Sequence, residues 1–444
     1  MLLCHSAYQM PSCAQPYEIL HRKQLFVQTA PVSAFAVDRL GGAVTISLPR
    51  ELKALAEIEE MDMPMPCFTK DLIDSWHNIY VPEWRIEADD LGITPDAIRL
   101  WSIEKRILHG GRQEGVDLLV VDNGRFLFSI VPARGMSIHE AWCEGVRLGW
   151  DSPNHEIVHP MYTRNEEKSG LGFLRDFNGL FVRCGMTHNG APCVDDSSGF
   201  RQILPLHGRL YSTPASALRV EVDLSPPHTL RVRGTVCETC FFGENLRLET
   251  AISTEPGAAW LRVEDTVTNL AGTEAEMQML YHVNYGPPLL GAGSQFIAPL
   301  DTLVPRDANA VKDLSRWNCY RRPTPGIAER CYFARLRGDH RQQTIVALRN
   351  PQGDLAISQT FGLSALPCFT LWKNEAAEAD GYVTGLEPGT NYPNPFAFER
   401  SQRRVVRLRP GASWRVALRL ELHIGRQAVG SLSRRIAALA GKKR

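Results

Sequence analysis

"GVDLLVVDNGRFLFSIV", residues 115–131, places two apolar runs on either side of Asn123-Gly124. An Asn-Gly pair supplies the positive φ angles that tight hairpin turns require, so the stretch reads as two antiparallel strands and their turn. The same grammar continues downstream. "LRVEVDL" (218–224), "LRVRGTV" (230–236), "LRLETAIST" (246–254), "WLRVEDTVTNL" (260–270), "MQMLYHVNYG" (277–286), "TIVALRN" (344–350), "LAISQTF" (355–361) and "WRVALRLELHI" (414–424) are short apolar or alternating runs separated by Gly, Pro, Asn and Asp. Many strands and few helical periods predict an all-β architecture over residues 108–424. That span is too long for an immunoglobulin-size sandwich of about 100 residues, so two large sheets packed face to face, or a duplicated sandwich, fit best. No fixed-period repeat supports a propeller.

The flanks read differently. Residues 1–66 hold no sustained period and are expected to form an N-terminal extension, loosely ordered, with a helix-like "PRELKALAEIEEM". Residues 67–107 are expected to be a mainly helical lead-in, from "TKDLIDSWHNIY" and from "TPDAIRLWSIEKRI" with its Thr-Pro start. Residues 425–444 read as a basic tail, short helical or frayed, with solvation as the default.

The chain has 444 residues, with Lys+Arg 49 against Asp+Glu 49, 44% hydrophobic and 22% charged residues. That balance argues against nucleic acid as a partner, because counterion-releasing binding needs a basic surface. No apolar run reaches the roughly 18 residues of a membrane span. The first residues carry neither the basic region nor the cleavage site of a signal peptide. Eleven scattered cysteines suit reduced thiols, so a cytoplasmic location is expected. The close pair in "CETC", Cys237 and Cys240, lacks the second pair of a zinc ribbon, and strand alternation sends the two sulfurs to opposite faces.

Four stretches in the β region concentrate ionisable side chains beside Gly or Pro, where strand ends and tight loops build sites. They are "VPARGMSIHEAW" with Arg134, "LPLHGRLYSTPA" with His207 and Arg209, "YHVNYGPPL" with His282 and Asn284, and "LWKNEAAEADGYVTGLEPGTNYPNP" with Trp372, Lys373 and Glu387. Each has a plain structural reading as well. A strand histidine can be hydrogen-bonded in the core, Trp372 can fill it, and Arg134 can cap a turn or pair with Glu140. The polar loop "RCGMTHNGAP" brings His188 within reach of a ligand, or forms a turn satisfied by its own Asn189. Cys184 in that loop has no activating base nearby in sequence.

Taken together and in order, "LHGR", "YHVNYG" and "GLEPGTNYP" resemble the galactose-mutarotase-like superfamily, the aldose 1-epimerases. "VPARGMSI", "GLFVRCGMTHNGAP", "LHGRL", "DTVTNL", "YHVNYGPPLL" and "GLEPGTNYP" resemble an uncharacterised aldose 1-epimerase-like branch over roughly residues 108–424. The resemblance implies a two-sheet super-sandwich and, by motif, a sugar-binding His207, a His282 that protonates the ring oxygen and a Glu387 that takes the anomeric hydroxyl proton. The chain departs from the family pattern at Arg209, where the family has glycine, and at "HVNYG". Its counterpart of the family's substrate-binding aspartate is not evident, since Asp265 lies inside a strand pattern.

The chemistry needs such a set. Opening a cyclic hemiacetal removes the O1 proton while the ring oxygen gains one, so an acid and a base must serve one anomeric centre. No cofactor or metal is required. The expectation is an isomerase acting on a free sugar or sugar acid, with Glu387 as base, His282 as acid, and His207, Arg209, Arg134, Asn284, Lys373, Trp372 and His188 as substrate contacts. The alternatives are a metal-assisted isomerase or lyase acting on an oxidised sugar, and a non-catalytic sugar-binding protein.

Overall fold

The computed structural model describes residues 66–93, 100–196 and 201–441. The Asn123-Gly124 hairpin forms as read, with strands Val116–Asp122 and Phe126–Val131 and Gly124 at φ 83°. Asn123 is buried, and its Oδ1 accepts from the backbone N–H groups of Arg125 (2.9 Å) and Phe126 (2.7 Å). Its Nδ2 donates to Thr254 Oγ1 at 2.8 Å, so the turn is also tied to a strand of the other sheet.

Among the described residues the chain forms a ten-stranded and a twelve-stranded antiparallel sheet, with two further two-stranded ribbons. The ten-stranded sheet runs from the edge strand Gln295–Ile297 to Ile79–Tyr80, with Trp260–Asn269 and Ser413–Ile424 side by side near its centre. The twelve-stranded sheet runs from Leu300–Pro305 to Trp84–Glu87. One large apolar cluster draws on both sheets. Leu246, Leu248, Ile252, Val263, Leu418 and Leu420 come from the first, and Ile103, Phe128, Ile130, Tyr281, Val283 and Leu371 from the second. The inner faces therefore share a single core, as expected for stacked sheets whose alternate residues point inward.

The helical lead-in is corrected. Its described residues form the strands Cys67–Asp74, Ile79–Tyr80, Trp84–Glu87 and most of Ser102–Leu108, while residues 94–99, where the Thr-Pro helix start was expected, lie outside the described residues. Long-range pairing overrides local propensity: Cys67–Asp74 pairs with Ala217–Asp223 and buries Leu72 completely. What reads as continued helix in "DSWHN" is a turn in which Asp74 Oδ1 accepts from the backbone N–H groups of Trp76 and His77. The lead-in thus supplies strands to both sheets, and the boundary at residue 108 has no structural counterpart. The extension expected over 1–66 lies outside the described residues except for its last residue.

The C-terminal segment is also corrected. It forms the helix Arg426–Ala440, whose Val429, Leu432 and Ile436 bury against Ile345, Ala347 and Ala356 of the ten-stranded sheet. Their spacing of three and four residues places them on one helical face, which makes docking rather than solvation the outcome. No helix among the described residues is long and apolar enough to cross a membrane.

Candidate active site

The strand Leu280–Tyr285 lies in the twelve-stranded sheet between Phe181–Cys184 and Val383–Gly389. Strand alternation decides what each residue of "LYHVNY" does. Tyr281, Val283 and Tyr285 enter the core between the sheets, and Leu280, His282 and Asn284 face the other way. That second face is covered as well. Trp150, Phe173, Phe177, Val182, Cys184, Tyr211, Leu280 and Val383 form a separate apolar cluster there, with Leu206 and Trp372 packed against it. The site is thus a polar group set in an aromatic box on the outer face of a sheet.

His282 and Glu387 meet across neighbouring strands, with Nε2 and Oε1 at 3.2 Å. The approach falls short of hydrogen-bond geometry, and Glu387 Oε1 is a buried oxygen with no hydrogen-bond partner. The tautomer of His282 follows from its neighbours. Asn284 Nδ2 donates to the carbonyl oxygens of Gly179 (2.9 Å) and His282 (3.1 Å), so Asn284 Oδ1 is the atom 2.6 Å from His282 Nδ1. His282 Nδ1 must therefore carry a proton, and Nε2 is the nitrogen that gains or loses one. The same logic fixes His207, whose Nδ1 donates to the Asn189 carbonyl at 2.9 Å. Its ring stands edge-on to that of His282, with centroids 5.3 Å apart.

Aromatic rings enclose both imidazoles. Phe173 packs on His207 and Phe177 on His282, each at 4.9 Å, and Trp372 stands 5.4 Å from His282. Burial in this box pushes His282 well below the usual imidazole value and, aided by the neighbouring His207, keeps it neutral. Burial pushes His207 down to about 4, against the raising effect of its bond to Asn189. It pushes Glu387 well above the usual carboxylate range, with Glu329 adding to the rise. Burial thus favours the uncharged form of each group, the carboxylic acid at Glu387 and the neutral imidazole at His282.

Two glycines make the approach possible. Gly385 lies opposite Asn284 on one side and Trp372 on the other. A Cβ there would strike Glu387 Oε1 and stand 2.9 Å from His282 Cε1. Gly208, following His207, has φ 74°, and a Cβ there would collide with the His188 carbonyl. The rim carries charge. Trp372 Nε1 donates to Glu329 Oε2 at 2.6 Å, and Arg306 donates to Glu329 Oε1 at 2.6 Å and to Asp307.

Of the residues singled out in the sequence, His207, His282, Asn284, Trp372 and Glu387 come together here. Four do not, and each has a physical reason. Arg134 is buried and committed to Asp176 Oδ2 (2.6 Å), Thr163 and the Val158 carbonyl, so it ties loops instead of clamping a ligand. Arg209 is 38% exposed and pairs with Glu166 at 2.8 Å. Lys373 follows Trp372 in one strand and must point to the opposite face, where Nζ donates to the Cys319 carbonyl at 2.7 Å beside Asp313 and Glu375. His188 is buried, its Nε2 donating to the Ala191 carbonyl at 3.1 Å and its ring against Phe396. Asp265 is also placed. It sits in the core between the sheets in a two-contact pair with Arg183, at 2.7 and 3.1 Å.

Sequence reasoning missed Phe173, Phe177 and Trp150, which lie on connections without a period, and the rim residues Glu329 and Arg306. Gly385 was in view within "GLEP", and the alternation rule applied to adjacent Trp372 and Lys373 would have removed one of them. Cys184 is buried, and burial raises its thiol far above the usual range, which leaves it inert as a nucleophile. Among the described residues no three His, Cys, Asp or Glu side chains are gathered closely enough to hold a metal ion, so the metal-assisted alternative has no donor set there.

A family profile described as a domain of unknown function, DUF4432, matches residues 113–422. No curated protein matches the chain. Among solved structures, a protein from Klebsiella pneumoniae described as a "putative aldose 1-epimerase" is 36% identical and superposes with a TM-score of 0.82, over 85% of this chain and 97% of that one. A galactose mutarotase-like protein from Clostridium acetobutylicum shares the fold at 14% identity and a TM-score of 0.51, covering 72% of this chain and 98% of that one.

Proposed function

The chain belongs to the DUF4432 family within the galactose-mutarotase-like superfamily, and from that premise we propose that it is an isomerase of the aldose 1-epimerase type, interconverting the anomers of a free sugar or sugar acid. The observation that carries this reading is the contact of His282 Nε2 with Glu387 Oε1 in an aromatic box. O1 and the ring oxygen are bonded to the same anomeric carbon, so two groups in contact with each other can serve both.

Sugar hydroxyls entering the box would solvate the carboxylate, and the Glu387 proton would cross to His282 Nε2. Glu387 then takes the O1 proton while imidazolium Nε2 delivers its proton to the ring oxygen. The bond from C1 to the ring oxygen breaks and C1 becomes an aldehyde. Rotation about the bond between C1 and C2 exposes the other face. Closure returns the Glu387 proton to O1 and takes the ring-oxygen proton back to His282. The pair carries one proton before and after, so no co-reactant is needed. The state that burial favours, a protonated Glu387 beside a neutral His282, is the one that accompanies the open chain. His207 Nε2, with its lone pair fixed by the Asn189 bond, accepts a sugar hydroxyl, and Trp372, beside His282, offers a ring face to the sugar.

The rim favours an uncharged sugar. Arg306, the cation beside Glu329 there, is already engaged by Glu329 and Asp307. One-dimensional proton NMR of anomer exchange over a panel of neutral aldoses and the matching uronates tests the reading. Acceleration of at least one neutral aldose is expected, and saturable binding without acceleration of any sugar would overturn it.

A further inference from the structure

The Asn189 carbonyl fixes the tautomer of His207, yet the chemistry above gives no task to the loop that carries it, "GMTHNGAP". That loop is anchored by a second buried polar device. Asn189 and Asn391, 0% and 1% exposed, form a reciprocal amide pair, each Nδ2 donating to the other's Oδ1 at 2.9 Å. Asn391 Nδ2 also donates to the Tyr392 carbonyl, and its Oδ1 accepts from Thr390 Oγ1, both at 2.8 Å. Its donors and acceptors are thereby all used. On the other side, the Asn189 backbone N–H donates to Gln278 Oε1 at 3.1 Å. Asn391 stands four residues after Glu387, just beyond the strand Val383–Gly389.

The two motifs that supply the pair lie far apart in sequence, and together they make one bonded path. It runs from the end of the Glu387 strand through Asn391 and Asn189 to the Asn189 carbonyl, and from there to His207 Nδ1. We propose that Asn189 and Asn391 are positioning residues that hold the His207 imidazole in one tautomer and in register with Glu387. The geometry stands by itself, and its catalytic meaning rests on the isomerase reading. Without the amide pair the loop keeps its bonds to Glu238 and Gln278 but loses the tie to the Glu387 strand, so the Asn189 carbonyl is no longer held in register as the acceptor of the His207 Nδ1 proton. An apolar pair could fill the same space and would keep the fold, but it would not transmit this register.

The test is ¹⁵N NMR of histidine-labelled, full-length protein without sugar, with H207N used to assign the ring signals. Wild type should show His207 as a single Nδ1-protonated tautomer. Asn391→Ala should show averaged His207 tautomers and leave His282, locked by its own Asn284, unchanged. Asn391→Ser, which keeps one acceptor and room for a water, serves if the alanine variant does not fold. Kinetically, KM should rise about tenfold with kcat changed much less, as for loss of a binding contact. If the folded variants lose thermal stability and keep the wild-type His207 signals, the pair is only structural and the proposal falls. If the tautomers mix but wild-type protein accelerates no anomer exchange, the positioning link stands and the isomerase reading fails.

Discussion

Two buried pairs of ionisable side chains lie on opposite faces of the twelve-stranded sheet, and they are built to opposite specifications. Arg183 and Asp265 meet between the sheets, both fully buried, through two direct contacts. Arg183 also donates to Thr250 Oγ1 (2.8 Å) and the Met136 carbonyl, and Tyr281 O–H donates to Asp265 Oδ2 at 2.9 Å. One sheet supplies Arg183 and Tyr281, and the other supplies Asp265 and Thr250, so the cluster bolts them together. His282 and Glu387, on the outer face, share one 3.2 Å contact and leave Glu387 Oε1 without a hydrogen bond. A satisfied pair has no reason to move a proton. An unsatisfied one does, and burial without compensation is the physical cost of keeping it ready.

The sharpest way to break this comparison is to remove the satisfied partner. Asp265→Asn leaves Arg183 uncompensated in the core and should destabilise by about 3–5 kcal/mol, read by denaturant unfolding. An effect below about 1 kcal/mol would show that the two sheets do not depend on it. Acidification probes two buried imidazoles instead, one in the aromatic box and one outside it. His188 and His207 are each held down to about 4 by burial, against 6.5 for a free imidazole. The unfolded chain binds protons at these rings first, so stability is full above pH 6.5 and falls as pH drops toward 4. The loss is on the order of 3 kcal/mol per ring, and H207N should shallow that slope in thermal melts across the pH series.

Gly385→Ala would push a methyl group against both His282 and Glu387. It should cost about 1–3 kcal/mol of stability and most of the activity, whereas a fully active variant would mean the close approach is incidental. Glu387→Gln sharpens the contrast with Asp265. Because Glu387 titrates above its unfolded value, its burial costs stability as pH rises above about 4.5. The glutamine variant should therefore match wild type in acid and be more stable than wild type at pH 7. The smallest effect belongs to Arg209→Ala. An exposed pair with Glu166 contributes within about 1 kcal/mol, and the anomer-exchange rate should stay within about twofold.

Much of this was legible in the chain. The Asn123-Gly124 turn and the alternation in "LRVRGTV" and "LYHVNY" carry the sheets, because a half-buried strand records its two faces in successive residues. His282 and Glu387 were legible through motif order, and their contact follows from strand pairing that no single segment announces. The lead-in misled because "TKDLIDSWHNIY" has a local helical look, and its strand state exists only through pairing with residues about 150 positions away. Arg134 and Lys373 misled for another reason. Buried cations look alike in sequence whether they face a ligand or a carboxylate such as Asp176 or Glu375, and only the side-chain direction separates the cases.

The central claim is that the unsatisfied pair moves protons at an anomeric carbon, and the anomer-exchange rate of folded Glu387→Gln and His282→Ala, measured on the best neutral aldose, tests it most directly. The account predicts that each loses at least about a hundredfold and that the double variant is scarcely worse than the poorer single, since the two groups act as one unit. Wild-type rates in either folded variant would contradict it.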